Sequence, residues 1–195
     1  MSQTLTIDRR STALVVIDLQ KGIAGMPVEP HPAGEVVRNA ALLAQTCRRH
    51  EMPVVLVRVT PSADGKDMLR PEADNTMQAV FPRPADWADI VPELGPRPGD
   101  IVITKRQWGA FHGTELDLQL RRRQIQTILL CGISTNIGVE STARFAFEYG
   151  YQQIFAEDAC SARSAAEHEH TMKTTFPRIG RIRATADILG ALNAP

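Results

Sequence analysis

The sequence has no long hydrophobic run, no net charge and few cysteines. Its longest apolar stretches, such as residues 13–17, cover about five residues, whereas a helix that spans a membrane needs roughly 20. The N-terminal residues hold no apolar core of the secretory type, so we expect no signal peptide. The three cysteines (Cys47, Cys131 and Cys160) are odd in number and widely spaced, so they cannot form a disulfide framework. These absences predict a cytoplasmic protein without a membrane partner.

The charges balance, with 22 Lys and Arg against 22 Asp and Glu in 195 residues. A chain without a net positive charge gives no overall electrostatic reason to bind nucleic acid. Hydrophobic residues make up 43% of the chain, which is enough for one sizeable core and too much for a disordered protein. We expect a single globular domain over residues 1–195.

Apolar runs of strand length alternate with helical patterns along the chain. The strongest runs are residues 13–17, 53–59, 101–104 and 127–131, and weaker ones are 153–156 and 181–183. Helical spacing or end signals are found at residues 36–47, from 114 to 123, from 135 to 150 and at 187–192. Continuous apolar runs are typical of strands buried on both faces of a parallel sheet. The alternation predicts a three-layer α/β/α domain, a Rossmann-like, mostly parallel sheet with helices on both faces.

One segment, residues 61–98, departs from this pattern. It holds seven of the thirteen prolines and few periodic runs, and long loops in compact domains are commonly functional. Trp87 and Phe81 indicate that part of the segment packs. We interpret it as an insertion over the sheet edge or the mouth of the active site, with a short helix near residues 85–90.

Two charged residues follow strands at the edge where parallel sheets bind ligands. Asp18 comes directly after the first apolar run, and Lys105 ends the third. Partial burial there would raise the pKa of a carboxyl group and suit it to acid or base catalysis. Asp18 alone is equally compatible with a helix cap or a turn. A carboxylate and an ammonium that converge on one edge make a candidate site, because each stabilises the charge of the other.

The segment from Cys131 to Arg144 predicts a strand, a tight turn and a helix. Backbone N–H groups in the first turn of such a helix can hold an oxyanion or a carboxylate. By itself this signal is weak, because most parallel α/β proteins contain turns of this kind.

Together, residues 12–20, 103–114 and 132–144 resemble the isochorismatase-like hydrolases, also called cysteine hydrolases, and are most similar to the uncharacterised bacterial YecD-type branch. The resemblance covers about residues 11 to 190 and implies a six-stranded parallel sheet. It also implies a homo-oligomer, a dimer or larger, that acts on a small-molecule substrate. The family's site combines an aspartate, a lysine and a cysteine nucleophile that attacks amides.

The chain departs from the family at the nucleophile. The family's cysteine lies six residues after the glycine that opens the turn, and here that position, counted from Gly132, is Gly138. A glycine cannot form a covalent intermediate. True isochorismatases resemble this chain in having glycine there, and they hydrolyse a vinyl ether by acid catalysis. The resemblance then implies a cofactor-free hydrolase in which Asp18 is the acid and Lys105 its electrostatic neighbour, with the amides near Ser134 and Gly138 orienting the substrate.

Three residues are candidates to bind the substrate: Gln20, Trp108 and Ser134. True isochorismatases have aromatic residues after the aspartate and a Tyr-Ala-His stretch in the turn, and this chain has neither. We therefore expect a different pocket and leave the substrate open. Gly138 also fits a second hypothesis, a catalytically inactive relative that binds a small molecule or a partner chain in the same cleft.

We predict no metal site. Some nicotinamidases of the family bind a metal through an Asp-x-His motif after the second strand, but the matching residues 60–74 contain no histidine. His168 and His170 are two residues apart, so on a helix they diverge by about 200°. We interpret both as parts of a solvated face, and His112 as a surface residue or a ligand contact.

Overall fold

The computed structural model describes residues 5–74 and 83–194. Over these residues six strands form one sheet in the order β3-β2-β1-β4-β5-β6, and every neighbouring pair is parallel. The strands are β1 (Thr12–Ile17), β2 (Val54–Val59), β3 (Ile101–Lys105), β4 (Thr127–Ile133), β5 (Gln152–Ser161) and β6 (Arg181–Arg183). The predicted parallel α/β sheet is confirmed.

The helices are α1 (Lys21–Ala24), α2 (Ala33–Arg49), α3 (Leu116–Arg122), α4 (Glu140–Glu148), α5 (Ala165–His170), α6 (Phe176–Ile179) and α7 (Thr185–Asn193). Two π-helical turns, Thr135–Val139 and Thr171–Thr175, run directly into α4 and α6. We call residues 134–139 the β4–α4 turn. None of the helices in the described ranges is long and apolar enough to cross a membrane.

The core lies at the centre of the sheet. All six residues of β1 are buried, and α2 packs against β1, β4, β5 and α7. The apolar stripe predicted on α2, from Val36 to Cys47, is buried. A strand that is apolar on both sides requires a helix layer on each face, because either face would otherwise expose it to water.

The strand order reverses between β1 and β4. The chain leaves β1 toward β2 and leaves β4 toward β5, and right-handed crossovers then place α2 and α4 on opposite faces of the sheet. A crevice opens at such a switch point, outside the carboxyl ends of the two strands. Asp18 and the β4–α4 turn therefore meet at the place where this fold can hold a ligand.

Two sequence predictions are corrected. Residues 85–90 form turns rather than a helix, because the carbonyls of Trp87 and Asp89 accept hydrogen bonds from α1, at Gly22 N and Lys21 N. β5 is ten residues long, whereas its apolar signal covers only residues 153–156. Phe81 lies outside the described residues.

Gly132 is required where β4 passes the end of β1. Its φ is +131°, and a Cβ at this position would lie 2.0 Å from the carbonyl oxygen of Ile17. We expect Gly132→Ala to lower the free energy of unfolding by at least about 3 kcal/mol, from backbone strain and from the clash, as measured by urea denaturation. Gly34→Ala is the control, since no described atom lies within 4 Å of its added Cβ and the change in a helix stays within about 1 kcal/mol. Equal urea midpoints for the two variants would contradict the close approach.

Candidate active site

Asp18 follows the last residue of β1 with its backbone in the left-handed region, at φ 55°. Residues other than glycine rarely adopt this conformation, and those that do cluster at functional sites. The residue is only 5% exposed. β1 therefore ends in a sharp turn that keeps a carboxyl group inside the protein.

Lys105 pairs with Asp18 although their strands are not neighbours. β2 lies between β1 and β3, which separates the two strands by roughly 10 Å. The long lysine side chain closes this gap, and its Nζ lies 2.8 Å from Asp18 Oδ2. Nζ also donates a hydrogen bond to the backbone carbonyl of Trp108. At 1% exposure, the ammonium has replaced its water shell with these partners.

Burial dominates the electrostatics of the pair. It raises the pKa of Asp18 from 3.8 to about 6, against the opposing influence of the Lys105 ammonium. Lys105 holds Oδ2, while Oδ1 is buried and has no hydrogen-bond partner among the described residues. A carboxyl group of this kind is part protonated near neutral pH, and Oδ1 is the oxygen available to carry the proton.

Gly138 brings the β4–α4 turn against this pair. A Cβ built at Gly138 would lie 3.0 Å from Asp18 Oδ2 and 3.2 Å from Lys105 Nζ. The structure therefore brings together the three residues for which the sequence predicts catalytic roles. It also shows that any side chain at position 138 would point directly at the ion pair.

Thr142 holds the β4–α4 turn in place through its hydroxyl, a role that the sequence alone does not reveal. Its hydroxyl donates to the carbonyl of Gly138 (2.7 Å) and accepts from the backbone N–H of Ala110 (3.1 Å). The β4–α4 turn is thereby joined to the loop that follows β3. In the sequence, this role is marked only by a threonine four residues after the glycine. Many exposed helix positions also carry a threonine, so the residue type alone does not identify the role.

Gln20 lies near the site, but its amide has backbone partners. Its Oε1 accepts from Val59 N at 2.8 Å, and its Nε2 donates to Val59 O and Trp87 O at 3.0 and 3.3 Å. The side chain is fully buried. Gln20 therefore links the end of β2 to residues 83–90, and both N–H groups of its amide are already occupied.

Trp108 and Ser134 contribute backbone groups. Trp108 is 63% exposed, and its carbonyl accepts the hydrogen bond from Lys105. The carbonyl of Ser134 accepts from Ile137 N and Val139 N at 3.1 and 3.2 Å, which closes the π-helical turn.

The cysteines lie in the core. All three thiols are buried, and burial raises the pKa of both Cys47 and Cys160 to about 12 and that of Cys131 well above its ordinary value. We therefore expect none of them to be a thiolate at neutral pH.

The predicted solvated position of His168 is wrong. His170 is exposed, whereas His168 is 1% exposed on the inward side of α5. Its Nε2 lies 3.2 Å from Glu157 Oε1, and its Nδ1 lies 2.8 Å from Thr135 Oγ1. The His168 ring is therefore hydrogen-bonded to Glu157 and Thr135 instead of to solvent.

Comparison with known proteins matches residues 12–187 to the isochorismatase domain family model. The chain is similar to the uncharacterized isochorismatase family protein YwoC of Bacillus subtilis, with 55% identity over 97% of this chain and 98% of that protein. It is also similar to YecD of Escherichia coli O157:H7, with 52% identity over 96% and 100% of the two chains. The solved structure of an isochorismatase family protein from Burkholderia thailandensis has a TM-score of 0.91 and 42% identity, over 97% and 98% of the two chains.

The raised pKa of Asp18 predicts a pH-dependent stability. Because the folded-state pKa is about 6 and the ordinary value 3.8, the stabilisation is full below about pH 4 and is lost as the pH rises through 6. Asp18→Asn removes this titration. Between pH 4 and 7, the unfolding free energy of the parent should therefore fall relative to that of the variant by up to about 3 kcal/mol.

Urea denaturation at several pH values measures this difference, and Asp187→Asn, at an exposed position on α7, is the matched control. Its stability should follow the parent at every pH. Parallel curves for the parent and Asp18→Asn would contradict the raised pKa.

Proposed function

Because this chain belongs to the isochorismatase family, we propose that it hydrolyses a small molecule by acid catalysis, with Asp18 as the general acid. The observation that carries the proposal is the buried Asp18–Lys105 pair (2.8 Å) with its unpartnered Oδ1. Such a carboxyl group can donate a proton to a substrate near neutral pH.

The reaction that fits this site is hydrolysis of a vinyl ether. Asp18 transfers the proton on Oδ1 to the terminal carbon of the enol ether, which leaves an oxocarbenium ion and a carboxylate. Water adds to the cation and returns a proton to the carboxylate. The resulting hemiketal breaks down to an alcohol and a carbonyl compound. None of these three steps requires a covalent bond to the protein.

Lys105 has two roles in this scheme. Its ammonium holds Oδ2, so the proton is directed to Oδ1, and it opposes the effect of burial on the pKa of Asp18. It also stabilises the carboxylate formed when the proton leaves. Without this cation, the buried carboxyl group would have a higher pKa and would be a weaker acid.

Gly138 supports acid catalysis over thiolate chemistry. Its missing side chain would lie within about 3 Å of both charged groups, which is the place where a nucleophile would act. We propose that the missing side chain lets the reacting carbon of a substrate approach Asp18. We also propose a small planar or carboxylated molecule as the substrate.

Isochorismate is the first substrate to test, by following pyruvate release with a coupled assay. We expect release with the parent and a loss of about 10²- to 10⁴-fold with Asp18→Asn, the usual contribution of a general acid. Asp187→Asn is again the control and should retain full activity.

Full activity of Asp18→Asn on any substrate would refute the mechanism. Absence of release by the parent would remove isochorismate alone, and other vinyl ethers would follow.

The pH dependence of turnover separates an acid from a base. If Asp18 acts as an acid with a pKa of about 6, the rate is constant at low pH and falls about tenfold per pH unit above 6. Lys105→Met should move this fall to higher pH, because the neighbouring cation no longer lowers the pKa. A rate that rises through pH 6 would assign Asp18 the role of a base.

A binding protein without catalytic activity is the second candidate. It is favoured by the burial of Asp18 and Lys105, which are 5% and 1% exposed and form an ion pair with each other. A broad screen of hydrolase substrates without turnover, together with a small molecule that raises the Tm, would support it over the hydrolase.

A further inference from the structure

Three side chains of metal-ligating types converge in a cluster that includes neither Asp18 nor Lys105. His31 lies between α1 and α2, Glu157 on β5 and His168 on α5. The Nε2 atoms of His31 and His168 lie 2.9 and 3.2 Å from the same oxygen, Glu157 Oε1. All three ligand atoms are within 4.8 Å of one another.

We propose that His31, Glu157 and His168 bind one divalent transition-metal ion, of which Zn²⁺ is the best match. In four-coordinate zinc sites the bonds are about 2.0–2.1 Å, which sets neighbouring ligand atoms about 3.3 Å apart. The two N···O distances of 2.9 and 3.2 Å need to widen by only a few tenths of an ångström. Two histidines and one glutamate are also a donor set that zinc uses in proteins.

The charge of the cluster favours a cation. Glu157 supplies a carboxylate between the two rings, and histidine binds metals as the neutral imidazole. The Glu157 side chain is 37% exposed, so solvent can reach the cluster and supply the fourth ligand.

Thr135 orients one of the ligands. Its Oγ1 lies 2.8 Å from Nδ1 of His168, the ring nitrogen that would not bind the metal. Metal-bound histidines commonly donate this second N–H to a fixed acceptor, and loss of the acceptor weakens binding by about 10- to 100-fold. Thr135 begins the π-helical turn that carries Gly138, so the ion would also steady the turn beside Asp18.

The backbone around the cluster is fixed independently of any metal. Glu29 and Ala162 exchange two backbone hydrogen bonds of 2.8 and 2.9 Å, which join the His31 segment to the end of β5. Ser164 and Glu167 form a reciprocal capping box at the start of α5. The ligands are thus held by segments already in place, which reduces the ordering cost of binding.

Zinc titration of the full chain, prepared without a polyhistidine tag, tests the site. Competition with a chromophoric chelator should give one equivalent of Zn²⁺ per chain and a Kd in the micromolar range or below. At a free Zn²⁺ concentration of 100 times Kd, the Tm should rise by about 5 to 10 °C. Co²⁺ in place of zinc should give the visible absorption of a low-coordinate site.

Variants locate the ion. His31→Gln removes a part-exposed ligand (21% side-chain exposure) without disturbing the core, and it should weaken Zn²⁺ binding at least 100-fold. Thr135→Val should weaken it about 10- to 100-fold. His170→Gln, at an exposed position on the same helix as His168, is the control and should bind like the parent.

Two results would overturn the proposal. One is the absence of stoichiometric Zn²⁺ binding by the folded parent. The other is equal binding by the parent and a folded His31→Gln variant, which would mean an adventitious ion elsewhere. Circular dichroism without metal establishes that each variant is folded.

Discussion

The buried ion pair between Asp18 and Lys105 is the interaction on which the rest of the site depends. Moving two charges out of water costs several kcal/mol per ion, and only close pairing with further hydrogen bonds offsets this cost. The fold supplies these at the carboxyl ends of β1 and β3, with the carbonyl of Trp108 as a second acceptor for the lysine. Burial raises the pKa of Asp18 and the lysine opposes this rise, so the pKa lies near neutrality, at about 6.

Positions that carry no side chain make this arrangement possible. Gly132 lets β4 pass close to the carbonyl of Ile17, and Gly138 lets the β4–α4 turn lie directly against the pair. The β4–α4 turn between them is held by short polar side chains, with Thr142 on one side and Thr135 on the other. Backbone placed by such contacts is well ordered before any ligand arrives.

The sequence predicts the sheet well because its signal is local. Continuous apolar runs mark buried parallel strands, and charged residues at their ends mark the ligand edge. Contacts between residues that are far apart in the sequence give no such local signal. The contact between His31 and Glu157 spans 126 positions, and a histidine two residues from another on a polar helix gives no sign that it points inward. The role of the Gln20 amide is equally ambiguous in the sequence, because only the fold shows that it is hydrogen-bonded to the backbone of Val59.

The burial of all three cysteines has a consequence for the protein under oxidative stress. Peroxides and electrophiles react with thiolates, and a thiol that is inaccessible and holds its proton to high pH reacts slowly. All three cysteines of this chain are buried, so we expect mild peroxide to leave them as thiols. The Asp18–Lys105 pair contains no sulfur and would stay unchanged under the same treatment.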